Sequence, residues 1–130
     1  MSTPYTHKNI TTVEDAAPKF GLGDHQEARF ATDAFDSERT GFSHHRLKAG
    51  KRQGFGHRHD DAEEVYFIAA GSGRMKLDDD IVELQERDVV RVSAGVMRAF
   101  EAGDDGLEVL AFGVHDVKDR GEIVNDWWQD

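Results

Sequence analysis

From Gly41 onward the chain is written as short β-prone runs, each closed by a glycine-rich or acidic turn. Residues 42–48 end at Ala49-Gly50, and residues 64–70 end at Gly71-Ser72-Gly73, where glycine can supply a positive φ. Residues 74–77 alternate polar and apolar, Asp78-Asp79-Asp80 turns the chain into residues 81–84, and residues 88–92 reach a turn at Ser93-Ala94-Gly95. Residues 96–101, a turn at Gly103-Asp104-Asp105-Gly106 and residues 107–114 complete the series. Strands at a spacing of about 8–12 residues, with no amphipathic run of helical length between them, predict an all-β sandwich or barrel. On period 2 the inward positions are Tyr66, Ile68, Met75, Leu77, Val90, Val92 and Phe100.

At 130 residues the chain fits one such domain, because two independent cores would each be marginal. Residues 41–115 are assigned to the barrel. Residues 1–40 carry little pattern beyond one helical turn over residues 13–17, ended by Pro18, and are read as an irregular arm that packs on the barrel or on a partner subunit. Residues 116–130 form a short polar tail whose Trp127 and Trp128 suit a docked terminus or, less often, a subunit interface. Lys and Arg number 16 against 26 Asp and Glu, a net charge of −10 that repels phosphate backbones and anionic lipid surfaces. Nucleic acid and membrane partners are therefore not expected. No apolar run approaches the ~20 residues that span a bilayer, and residues 1–12 lack the apolar stretch of a signal peptide. The expected location is cytoplasmic. With no cysteine, disulfides and thiolate metal sites are ruled out.

The chemistry concentrates at His57-Arg58-His59, followed after four residues by Glu64 at the start of a strand. Residues two apart in an extended chain face the same way, so both imidazoles can converge on one point. Glu64, Tyr66 and Ile68 share the corresponding face of the next strand. Two neutral imidazoles and one carboxylate suit one divalent metal ion (Fe, Mn, Ni, Zn or Cu) with positions left for water or substrate.

These residues resemble the first motif of the cupin superfamily, G-x5-H-x-H-x3,4-E-x6-G. The chain has Gly50, His57, His59, Glu64 and Gly71, with one extra residue in the first spacer. The second motif, G-x5-P-x-G-x2-H-x3-N, aligns over its full length, but only Gly95 is kept; Arg87, Ser93, Arg98 and Ala102 are departures. The resemblance covers residues 42–113. It implies a jelly-roll barrel with metal held inside by His57, His59 and Glu64, and a homodimer formed through a sheet edge or the N-terminal arm. The superfamily spans dioxygenases, isomerases, decarboxylases, sugar-binding modules and storage proteins, so the fold does not name a reaction.

Arg98 stands where the resemblance would place a third histidine. A guanidinium has no lone pair to give, so it cannot ligate. Three outcomes follow. Arg98 can anchor an anionic substrate group beside a three-ligand metal, as bidentate Arg–carboxylate pairing allows. It can instead pair with Glu64 in a metal-free binding module. Or Gln53, His44 or His45 can supply an additional ligand; of the two adjacent histidines only one faces inward, and the apolar parity of Phe42 and Leu47 does not decide which. Tyr66 and Phe100 share the faces of Glu64 and Arg98 and are the remaining substrate-binding candidates. The enzymatic reading is an oxygenase or isomerase acting on an anionic or oxygen-rich small molecule. The alternative is a non-catalytic small-ligand cupin. Metal-free epimerase chemistry on such barrels needs a His–Asp pair, which the sequence does not place.

Overall fold

The computed structural model describes residues 4–115 and 118–130. Eight strands follow two 3-10 turns, Ile10–Thr12 and Ala17–Phe20: β1 (Gln26–Phe30), β2 (Thr40–Leu47), β3 (Gly56–His59), β4 (Glu64–Leu77), β5 (Asp80–Gln85), β6 (Val89–Val92), β7 (Arg98–Val114) and β8 (Gly121–Val124). Among the described residues there is no α-helix, and no helix long and apolar enough to cross a membrane. All strand pairs are antiparallel, in the order β1-β2-β7-β3-β8, while β4 lies along β7 and also pairs with β5 and β6. The result is the all-β fold that the strand rhythm predicts, in the barrel form that the resemblance implies.

The two long strands β4 and β7 carry the core. Tyr66, Ile68, Met75, Phe100, Ala102, Leu107, Val109 and Ala111 cluster with Leu47, Leu84 and Val92, and Leu77 and Val90 pack against them. Ile68 and Met75 are seven positions apart, and strict alternation would put them on opposite faces. Register shifts between Ile68 and Ala70 and between Gly71 and Gly73 restore both to the interior. The strand β7 switches parity likewise between Ala102 and Leu107, where residues 103–106 have no paired position on β4.

This corrects two predicted turns. Gly71-Ser72-Gly73 and residues 103–106 do not reverse the chain; they are bulges inside β4 and β7. The glycines are there because backbones meet: a Cβ at Gly71 would stand 2.0 Å from the Gly106 carbonyl oxygen, and one at Gly73 2.1 Å from that of Glu101. Gly71 and Gly106 also have φ of 81°.

Within residues 1–40 the structure contains a strand that the sequence pattern does not show. β1 pairs with β2, from Gln26 opposite Leu47 to Phe30 opposite Ser43. Asp15 locks the segment before it, its carboxylate accepting the backbone N–H of Ala17 and of Ala28. Those two bonds hold the Asp15 carboxyl below its ordinary value against the opposing effect of burial. Residues 26–30 of the arm thus extend the sheet of the same chain. At the other end, β8 pairs with β3, with His57 opposite Ile123 and His59 opposite Gly121.

Candidate metal centre

His57 and His59 occupy alternate positions of β3, and Glu64 opens β4 beside them. His59 Nε2 lies 3.2 Å and His57 Nε2 3.9 Å from Glu64 Oε1. The two rings stand edge to face, 5.5 Å apart. One ligand atom from each residue falls within 4.8 Å of the other two, and all three side chains are partly exposed. The sequence-predicted set is therefore brought together. Tyr66 adds a hydrogen bond of 2.5 Å from its hydroxyl to Glu64 Oε1. Burial pushes the Glu64 carboxyl up, but the His57, His59 and Tyr66 side chains that face it outweigh this and hold the group well below the usual carboxylate range.

His59 has a second partner. Its Nδ1 lies 3.0 Å from Asp119 Oδ2, and the other oxygen of Asp119 accepts the backbone N–H of Asp61 at 2.9 Å. A carboxylate on Nδ1 favours the tautomer that leaves Nε2 with its lone pair, as ligating histidines require. The donor chemistry thus fits a divalent ion: two imidazole Nε2 atoms and one ionised carboxylate oxygen converge, each on a partly exposed side chain. Asp119 has no signal in the sequence, being sixty positions from His59 on a tail read only as docked.

Arg98 is fully buried, at 0% exposure, directly opposite His57 in the pairing of β7 with β3. None of its three guanidinium nitrogens has a hydrogen-bond partner among the described residues. The expected alternative in which Arg98 pairs with Glu64 is not what the structure shows: Glu64 Oε1 faces His57, His59 and Tyr66 instead. The charge of Arg98 is still felt nearby. Hydrogen bonding to Glu64 raises His59, while burial and Arg98 oppose the rise. Burial and Glu64 push the Tyr66 phenol well up, and Arg98 offsets part of that. Tyr66 and Phe100 meet edge to face at 5.2 Å, both buried in the core beneath the site.

The candidates for an additional ligand separate. His44 points to the outer face, its Nε2 2.9 Å from Glu108. Gln53 is buried with its amide engaged, accepting from Phe100 N and donating to Gln26 Oε1. His45 shares the inward parity of Leu47, with Nε2 2.9 Å from Ser43 Oγ and a buried Nδ1 that has no partner among the described residues. It nonetheless stays outside the three-donor cluster. Burial, aided by the nearby His57 and His44 and opposed by Glu64, lowers its pKa to about 4.

Comparison with known proteins bears on the fold. A cupin protein from Bacteroides fragilis superposes with a TM-score of 0.69 at 22% identity, covering 99% of both chains. A sugar phosphate isomerase of the cupin superfamily from Silicibacter pomeroyi DSS-3 gives 0.65 at 18% identity, over 75% of this chain and 64% of that one. Salicylate 1,2-dioxygenase from Pseudaminobacter salicylatoxidans gives 0.68 at 15% identity, over 82% of this chain and 34% of the dioxygenase. The chain thus spans less than two thirds of each of those enzymes. No curated protein matches it. The cupin-domain family does match, across residues 43–113, and since that is more than half of the sequence the chain belongs to the cupin family.

Proposed function

We propose that the barrel holds one divalent metal ion on His57 Nε2, His59 Nε2 and Glu64 Oε1, and that Arg98 pairs with the anionic group of a small-molecule substrate bound beside it. The observation that carries this reading is the fully buried Arg98 guanidinium, which has no hydrogen-bond partner among the described residues, next to a convergent three-donor set. A buried cation without a partner costs several kcal/mol, by order of magnitude, so its presence calls for an anion. The charges agree. A dication and one carboxylate leave a single positive charge, and Arg98 adds another, which suits a carboxylate or phosphate-bearing molecule. Two of the structural relatives are named for sugar phosphate and salicylate, both anions.

When bound, the metal would serve as a Lewis acid toward a substrate oxygen. The protein's own residues do the rest: Glu64 stays ionised, Asp119 holds the His59 ring, Tyr66 fixes the carboxylate by its hydrogen bond, and Arg98 orients the anion. An isomerase or oxygenase is the class of reaction this arrangement favours.

A second reading has one observation behind it. His59 and Asp119 form the imidazole–carboxylate pair that metal-free acid–base chemistry needs. Against it, the Nε2 that would meet substrate already faces Glu64 at 3.2 Å.

Elemental analysis of untagged protein purified without chelators tests the metal reading. The expected result is about one ion per chain, restored by added Mn(II), Fe(II) or Zn(II) after chelation and lost in His57→Ala. Protein that carries far less than one equivalent and takes up none of the added ions would refute it.

A further inference from the structure

The strand that bears both histidines is weakly held by the rest of the barrel. β3 shares one paired position with β7, His57 opposite Arg98, and four with β8, from Gly56 opposite Val124 to His59 opposite Gly121. β8 comes from the C-terminal segment, and so does Asp119. We infer that residues 118–130 complete the metal site: Asp119 positions His59 as an Nε2 donor, and docking of the C-terminal strand and metal binding stabilise one another. The inference rests on the metal reading proposed above.

The contacts form a continuous chain from the tail to the ligand. Asp119 is gripped on both carboxylate oxygens, by His59 Nδ1 and by the Asp61 N–H, so it cannot turn away without breaking the corner that follows β3. Next to it, the backbone N–H of Asp60 donates to the Arg120 carbonyl at 2.6 Å. Opposite His59, a Cβ at Gly121 would come 2.0 Å from the Arg58 carbonyl oxygen, so only glycine permits this approach.

Beyond β8 the tail is clamped again. Trp127 lies over Gly56 so closely that a Cβ there would meet its ring at 2.6 Å, and the Trp127 carbonyl accepts from Lys76 Nζ at 2.7 Å. Trp128 Nε1 donates to the Gln53 carbonyl, and Asp130 bridges Arg52 and Arg74. The tail therefore grips β3 beyond both ends of the strand. A ligand bound to β3 side chains and a strand bound to the β3 backbone favour the same position of β3, and such coupling is reciprocal.

The test uses the full chain with Asp119→Ala and Asp119→Asn, and three readouts. The first is Mn(II) affinity by titration calorimetry. The second is the ring nitrogen shifts of His59 in metal-free protein at alkaline pH, where the ring is neutral. The third is hydrogen exchange of the β8 amides with and without Mn(II). Asp119→Ala should weaken Mn(II) binding by about 10- to 100-fold and move His59 toward the Nε2–H tautomer, which donates to Glu64 and has no lone pair at Nε2 for a metal. Asp119→Asn, which keeps an acceptor oxygen, should recover most of both, and Mn(II) should slow β8 exchange in the wild type. Unchanged affinity and tautomer in Asp119→Ala, or β8 exchange indifferent to bound Mn(II), would overturn the inference. Wild-type protein that binds no Mn(II) refutes the metal reading instead. In that case the tautomer shift alone decides whether Asp119 positions His59.

Discussion

His57 and Arg98 lie directly opposite one another where β3 meets β7, so a metal-ligand candidate and an unpaired buried cation occupy the same rung of the barrel. The pairing explains why Arg98 matters twice. On the proposed metal reading its charge works against a dication on the three donors and offers an anion a partner at the same place. Without ligand the charge is a burden. Arg98→Met should therefore raise the melting temperature of ligand-free protein, gaining roughly 1–4 kcal/mol as an apolar side chain replaces an unpaired charge, while anion binding is lost. A lower Tm would mean the guanidinium is already satisfied. Arg98→His should strengthen Mn(II) binding by adding a fourth donor and weaken carboxylate or phosphate binding; unchanged metal affinity would place Arg98 away from the ion.

Glu64 is the anionic member of the donor set, and Gln in its place keeps the shape but not the charge. Glu64→Gln should reduce metal affinity by more than the 10- to 100-fold typical of groups one step removed from a metal. Chelator competition measures it. The same variant removes a negative charge that pushes the Tyr66 phenol up, so Tyr66 should ionise at lower pH, read from phenolate absorbance.

His45 gives the barrel a pH dependence. Its folded pKa is about 4 against an ordinary 6.5, so between those values the unfolded chain binds a proton that the folded protein refuses. Stability from this residue is complete above pH 6.5 and falls as the pH drops toward 4, by roughly 3 kcal/mol at most. His45→Gln keeps a partner for Ser43 and removes the titration. In metal-free protein, the gap between wild-type and variant unfolding free energies should change steadily from pH 7 to pH 4.5; a constant gap would show that His45 charges freely in the folded state.

The sequence shows His57, His59 and Glu64 because their convergence depends only on period 2 and a short corner. It does not separate His44 from His45, because Phe42 and Leu47 vote for opposite faces. The structure explains the conflict: Leu47 is in the core, whereas Phe42 stacks on Phe112 at 5.4 Å across the outer face, where β2 and β7 present an apolar pair. Asp119 is invisible for a different reason. Its role arises from strand pairing between segments sixty residues apart, and no local pattern encodes that. Gln53 looks like a free amide in sequence, but the Phe100 N–H and Gln26 claim it once β1 and β7 are in place.

Glycine-rich pairs are the hardest local signal to read, since a reversing turn and a bulge use the same residues. The difference lies in what faces them, and that can be tested. Gly71→Ala places a Cβ 2.0 Å from the Gly106 carbonyl oxygen at a φ of 81°, so it combines a steric clash with a left-handed backbone. The cost should be about 3 kcal/mol or more by urea unfolding, at the severe end for single substitutions. Gly54→Ala has nothing within 4 Å of the new atom and should stay within about 0.5 kcal/mol of wild type. If the two variants unfold alike, β4 and β7 do not approach at this point. The parity switch that carries both Ile68 and Met75 into the core would then need another origin, because it is the bulge at residues 69–73 that lets one long strand serve the site at Glu64 and the core at Met75.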